Sequence, residues 1–146
     1  MKWIIKTFDK LDTKELYVIL QLRAEVFVVE QDCPYQDVDN KDMDSYHVMG
    51  FDSEHLAAYT RIVKPGISYS EMAIGRVVVS PKNRGERLGV QVMKQSIAFV
   101  EGELGHQAIR LSAQSHLQKF YSDLGFQFTG KEYLEDGIPH VEMLRD

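Results

Sequence analysis

The stretch from Ile74 to Gly89 combines the residue types and spacing that can hold a phosphate. An apolar run ending in Val77, Val78 and Val79 passes through Pro81-Lys82-Asn83 into Arg84-Gly85-Glu86-Arg87-Leu88-Gly89, where a helical pattern begins. The first turn of a helix leaves about four backbone N–H groups unpaired, and the helix dipole adds roughly half a positive charge at that end. Gly85 and Gly89 let an anion approach the main chain closely, and Arg84 and Arg87 supply formal charge. The plainer reading of the same residues is a strand, a turn and a helix whose glycines serve the turn alone.

The elements that must position this segment follow from hydrophobic period and punctuation. Trp3 to Phe8 reads as a strand, and Asp12-Thr13-Lys14-Glu15 as a capping box opening a helix that runs to about Gln31, before Pro34. Tyr46–Asp52 and Leu56–Lys64 read as a strand pair, with Pro65-Gly66 ending the second. Met72–Ser80 is a near-continuous apolar strand of the kind buried on both faces. Leu88, Val92, Met93, Ile97, Val100 and Leu104 form a helical stripe closed at Gly105. Ile109–Ala113 alternates as a strand, and Ser115-His116-Leu117-Gln118 reads as a second capping box before Leu117, Phe120, Tyr121 and Leu124. Phe126–Leu134, an Asp136-Gly137 turn and Ile138–Leu144 predict a terminal hairpin. The order is β-α-(short helix)-β-β-β-α-β-α-β-β. It predicts an α/β fold with a mixed central sheet, helices on both faces and one domain over residues 1–146.

Composition narrows the function classes. The chain has 146 residues, 44% hydrophobic and 27% charged, with net charge −5, so no basic excess points to nucleic acid or an anionic membrane. No apolar run approaches the ~20 residues of a membrane-spanning helix, and Met1–Lys6 is too short for a signal peptide. The single cysteine, Cys33, excludes an internal disulfide and a cysteine-only zinc site and fits a reducing, cytoplasmic setting. Its acidic neighbours Glu30, Asp32, Asp37 and Asp39 disfavour a thiolate. The run Asp37, Asp39, Asp42, Asp44 lacks the glycine and glutamate of a calcium loop, and no metal is expected. It reads as a solvated acidic face, or as a lure for a cationic amine.

On these residues the chain resembles the GNAT N-acetyltransferases. Their phosphate signature, Gln/Arg-x-x-Gly-x-Gly/Ala after an apolar strand, falls on Arg84–Gly89, with Arg87 standing where the pattern has glycine. Their later pattern, Asn-x-x-Ala-x-x-Phe-Tyr-x-x-x-Gly-Phe, falls on Gln114–Phe126; Gln114 and Leu117 depart from it, while Phe120, Tyr121, Gly125 and Phe126 match. The run Leu22 to Gln31, Cys33-Pro34-Tyr35-Gln36-Asp37, Leu111–Gln114 and Asp136–His140 resemble the ElaA-type branch of that superfamily. Arg23-x-x-Val26-Phe27, the aspartates and His47 also resemble acyl-homoserine-lactone synthases, which are longer and lack so clear a phosphate loop.

The resemblance implies an acetyl-CoA-dependent N-acetyltransferase acting by direct transfer in a ternary complex. It implies that the pantetheine arm lies along the main chain of Val77, Val78 and Val79, exposed where this strand splays from the next, and that Arg84 through Gly89, Gln114 and Phe120 contact the cofactor. It makes Tyr121 the candidate acid for the departing thiolate, although Tyr121 also lies on its helix's apolar stripe. An alkylamine acceptor, with a reference pKa around ~10.4, needs a base at neutral pH. Glu71, Glu30, His47 and His140 are the candidates, each equally readable as a surface carboxylate or structural histidine. The expected partner is a small-molecule or peptide amine, with a homodimer left open. The alternative function is a CoA-binding regulatory domain without efficient chemistry.

Overall fold

The computed structural model describes all 146 residues. Seven strands form one sheet: β1 (Lys2–Thr7), β2 (Ser45–Asp52), β3 (His55–Val63), β4 (Met72–Val79), β5 (Ile109–Gln114), β6 (Gln127–Glu135) and β7 (Ile138–Arg145), in the order β1-β2-β3-β4-β5-β7-β6. Every pairing is antiparallel except β4 with β5. That parallel pair is short, joining only Met72 to Ile109 and Ala73 to Arg110, so the sheet splits beyond Ala73.

Period-two alternation sends side chains to two cores. On one face Ile19, Leu22 and Val26 of α1 (Thr13–Arg23, continued by a wider-wound turn over Ala24–Glu30) pack on Met49, Tyr59 and Val78. On the other, Leu88, Val92, Met93 and Ile97 of α2 (Leu88–Phe99) pack on Val48, Ala58, Ile62 and Ile74, joined by Tyr121 and Phe126. Adjacent residues Val48 and Met49, or Ala58 and Tyr59, thus serve opposite faces, as a strand requires. Helices cover both faces of a mixed sheet, as the sequence predicts.

Local chemistry accounts for the element ends. The Asp12 capping box is present: its carboxylate accepts from the Glu15 N–H at 2.7 Å, and the Glu15 carboxylate accepts from the Asp12 N–H at 2.9 Å. The helix then widens, the Gln31 and Cys33 N–H groups donating five residues back to the Val26 and Val28 carbonyls. The second predicted capping box is absent. Ser115–Leu117 forms a tight 3₁₀ turn, so α3 (Gln118–Ser122) begins three residues later and the Ser115 hydroxyl caps nothing. The hairpin turn at Asp136-Gly137 is present, with φ of +51° and +77°, the left-handed pair that suits a two-residue connection.

Candidate active site

The split between β4 and β5 is the site's foundation. Beyond Ala73, β4 has no ladder partner on its β5 side, while Val78 and Val79 still pair with Tyr59 and Ala58 of β3. Between them the register slips, two residues of β4, Arg76 and Val77, standing opposite Thr60 alone. Arg76 takes φ +52°, costly for a non-glycine residue, which marks a bulge that redirects the strand. A cavity of about 340 Å³ occupies the split; Gly75, Arg76 and Val77 line one side, Ala113, Gln114 and Tyr121 the other. Val77 therefore lies where the pantetheine arm is expected. The Val78 side chain is buried in the α1 core and Val79 packs against the larger core, so only their main chain is available.

The turn into α2 has the geometry of an anion site. Arg87 is the residue preceding the helix, at φ +59°, and no side chain caps the amides of Leu88 and Gly89. Gly85 sits at φ +88° with open space where a Cβ would project. The two left-handed residues explain why glycine suits this turn, and Arg87 accepts at some cost a conformation that glycine adopts freely. A Cβ at Gly89 would meet Phe120 at 3.5 Å, an ordinary contact, so packing alone does not demand glycine there. Arg84 departs from the expectation of a free charge: both its terminal nitrogens donate to Glu30 at 2.6 Å. Both groups are exposed, and such a surface pair is worth little enough for a phosphate to displace it. Glu86 accepts weakly from Asn83 at 3.4 Å, and Leu88 is buried in the core.

Tyr121 reaches the same cavity from α3. Its ring meets Phe120 edge-on at 4.9 Å and Phe126 at 6.1 Å, so packing fixes its direction. Burial alone pushes its hydroxyl up to about 12, which keeps it a proton donor at neutral pH. The ring supplies the apolar stripe, and the hydroxyl keeps its proton. Phe120 bridges Tyr121 and Gly89, while Gln114 ends β5 opposite His140.

Among the base candidates, three are committed elsewhere. Glu71 accepts from Arg110 at 3.0 and 2.6 Å, and this pairing holds its carboxyl down at about 2. Glu71 also lies outside the cavity walls, so the expectation of a catalytic Glu71 is corrected. Glu30 is tied to Arg84, which lowers its carboxyl, and it lies outside the cavity walls. His47 is fully buried, donating from Nε2 to the Asp42 carbonyl at 2.9 Å and accepting at Nδ1 from the Tyr59 hydroxyl at 2.7 Å; burial disfavours its charged form. It is a structural histidine.

His140 remains. It lines the cavity with Tyr121, its Nδ1 lies 2.7 Å from the Ile138 carbonyl and its Nε2 lies 3.2 Å from Glu135. Both ring nitrogens face acceptor oxygens, so a ring with one N–H donates to one of them and leaves the other nitrogen with a lone pair. Tyr133 stacks beside it at 6.1 Å and donates to Ser112.

The acidic segment is neither a solvated face nor a free lure for cations. Asp42 is buried between Arg23 and Arg61 at 2.7 and 3.0 Å, Asp39 is bound by Arg61 at 2.6 and 2.8 Å, and Asp37 is held by Arg23 and Arg76 at 2.8 Å each. Arg61 holds the Asp39 carboxyl far below the usual range although burial opposes it. Glu135, Arg76 and this network escaped the sequence reading. A signal existed for Arg76: Gly75-Arg76 interrupts an otherwise apolar strand, and glycine within a strand often marks a bulge.

Residues 13–145 match the Acetyltransferase (GNAT) domain family. The chain is 41% identical to Protein ElaA of Escherichia coli (strain K12) over 148 aligned positions, spanning 100% of this chain and 97% of that one. The crystal structure of Escherichia coli ElaA superimposes at TM-score 0.92 over 99% of each chain. That of an acyl-CoA N-acyltransferase from Pseudomonas aeruginosa does so at 0.94, with 44% identity over 99% of each chain. The AHL synthase LasI reaches 0.80 over 98% of this chain and 88% of its own, at 14% identity, a likeness of fold alone. The chain thus belongs to the GNAT superfamily of acyl-CoA-dependent acyltransferases, in its ElaA-type branch.

Proposed function

We propose that the chain transfers the acetyl group of acetyl-CoA to a primary amine by direct attack in a ternary complex. The observation that carries this reading is the convergence of three features on one cavity: the unpaired edge of β4, Tyr121 and His140. The unpaired main chain around Val77 suits the amides of the pantetheine arm. The uncapped amides at the start of α2, with Arg87 and a displaceable Arg84, suit the pyrophosphate.

The acceptor enters as an ammonium and gives a proton to His140, whose charged ring Glu135 and the Ile138 carbonyl stabilise. Its freed lone pair attacks the thioester carbonyl. Collapse of the tetrahedral adduct breaks the C–S bond; Tyr121 gives its proton to the leaving sulfur and regains one from the adduct's protonated nitrogen, which leaves an amide and a free thiol. A thiol has a reference pKa near ~8.5, so a phenol held near 12 donates only as negative charge builds on the sulfur. The test is amine-dependent release of free thiol from acetyl-CoA, with acetylated products read by mass spectrometry from pooled amines. Acetyl-CoA binding without amine-dependent thiol release would instead make the chain a CoA-binding regulatory domain.

A further inference from the structure

We infer that the acceptor is a zwitterion, an amine that also bears a carboxylate, and that Lys41 and Arg76 form the subsite for that carboxylate. The inference rests on the acyltransferase reading above and names the substrate class of the same cavity. The sheet splits between β4 and β5, so the cavity has two flanks, and the flanks differ in charge.

The β3–β4 flank carries every lysine and arginine that lines the cavity: Lys41, Arg61 and Arg76. Its carboxylates are already committed, since Asp37, Asp39 and Asp42 are all bound by Arg23, Arg61 and Arg76. Three acids against three guanidiniums leave Lys41 as the surplus charge. The Lys41 ammonium donates to the Ser68 hydroxyl at 3.0 Å and pairs with no carboxylate, so donors remain for a ligand. Arg76 directs Nε and Nη2 to Asp37 at 2.8 and 3.0 Å, which leaves Nη1 uncommitted. Both groups are part-exposed, and a substrate carboxylate would replace water on them with charge-assisted hydrogen bonds.

The opposite flank, built from β5, β6 and β7, presents Glu135, Asp136 and His140 and no cation. A zwitterion suits both flanks at once. Its ammonium faces the acidic wall, where the proton must be removed, and its carboxylate faces the cationic one. A polyamine would set a second positive charge against Lys41 and Arg76, and a neutral-tailed amine would gain no charge-assisted hydrogen bond from them.

The test compares the free amino acids as acceptors, each against its own C-terminal amide and its decarboxylated amine, in the wild type, Lys41→Met and Lys41→Gln. The wild type should favour free acids over amides by tenfold or more in kcat/KM, the scale of a hydrogen bond to a charged group. Both variants should lower kcat/KM for the acids about tenfold more than for the amides, through KM. Equal or better turnover of amides, or an unchanged acid-to-amide ratio in both variants, overturns the carboxylate subsite while leaving the acyltransferase reading intact. Acetyl-CoA binding with no transfer to any amine overturns both.

Discussion

Two charged segments, Asp37–Asp44 and Arg84–Gly89, lead to opposite outcomes. In the second, the distinctive features belong to the main chain: a left-handed glycine, a left-handed Arg87 and the uncapped start of α2. Those are local properties, and nearby residue types encode them. In the first, side-chain charges are cancelled by Arg23, Arg61 and Arg76, which lie 14, 22 and 39 positions from the aspartates they bind. An acidic run is therefore a statement about charge only after its partners are known. The paired aspartates hold neighbouring elements together, with Asp39 alone among them lining the cavity, and the turn into α2 keeps its amides uncapped.

Breaking the ionic network should produce the largest effect. Arg23 is wholly buried, and removing one partner of a buried pair strands the other's charge. Arg23→Met should cost about 3–5 kcal/mol in urea unfolding, whereas a solvated acidic face would have predicted almost none. The same network sets the acid limb of stability. The Asp39 and Asp42 carboxyls lie below their ordinary value in the folded state, held there by Arg61 and Arg23 against burial. Their contribution is complete above the unfolded carboxyl value near ~3.9 and is lost as pH falls through the lower folded values. Buried, neutral His47 should lower the unfolding midpoint gradually as pH falls below the unfolded imidazole value near ~6.5, and the carboxylate network should add a second drop only below about pH 4. A midpoint with no second drop below about pH 4 would contradict the carboxylate part of this.

On the catalytic side the effects are smaller in energy and confined to turnover. Tyr121→Phe keeps the ring's packing and should lower kcat by about a hundredfold, the low end for a lost general acid. Because the hydroxyl is pushed up to about 12, kcat should show no loss assignable to Tyr121 as pH rises from 8 to 10. Near-normal turnover with chemistry rate-limiting would return Tyr121 to the core. Glu135→Gln should lower kcat less, by roughly tenfold or under, because Glu135 acts through His140. Glu135→Asp should recover part of the loss, and a full-rate Glu135→Gln would remove the pair from the mechanism.

The sequence made the layered fold legible because each element carries its own period. The alternating strands, the Asp12 cap and the Asp136-Gly137 turn all appear in the structure. The β4/β5 split was anticipated from the family resemblance, and the register shows the pairing ending and the split beginning at Ala73. Less legible were features made by distant residues. Glu71 looked like a base until Arg110 claimed it, and His140 gained significance only when β6 placed Glu135 beside it. The Ser115 box failed because a 3₁₀ turn and a cap share the same residue types. Side-chain pairing across the sheet leaves little trace in a single sequence, whereas backbone geometry does.

Calorimetric titration of acetyl-CoA into the wild type, Gly85→Ala and Gly85→Glu most directly tests the open phosphate loop. The wild type should bind one equivalent, and Gly85→Ala should isolate the strain of a side chain at φ +88°. Gly85→Glu adds a negative charge where the pyrophosphate sits, and should weaken binding by at least about tenfold beyond Gly85→Ala. Wild-type affinity in a Gly85→Glu protein that keeps its unfolding midpoint would contradict a pyrophosphate at the start of α2.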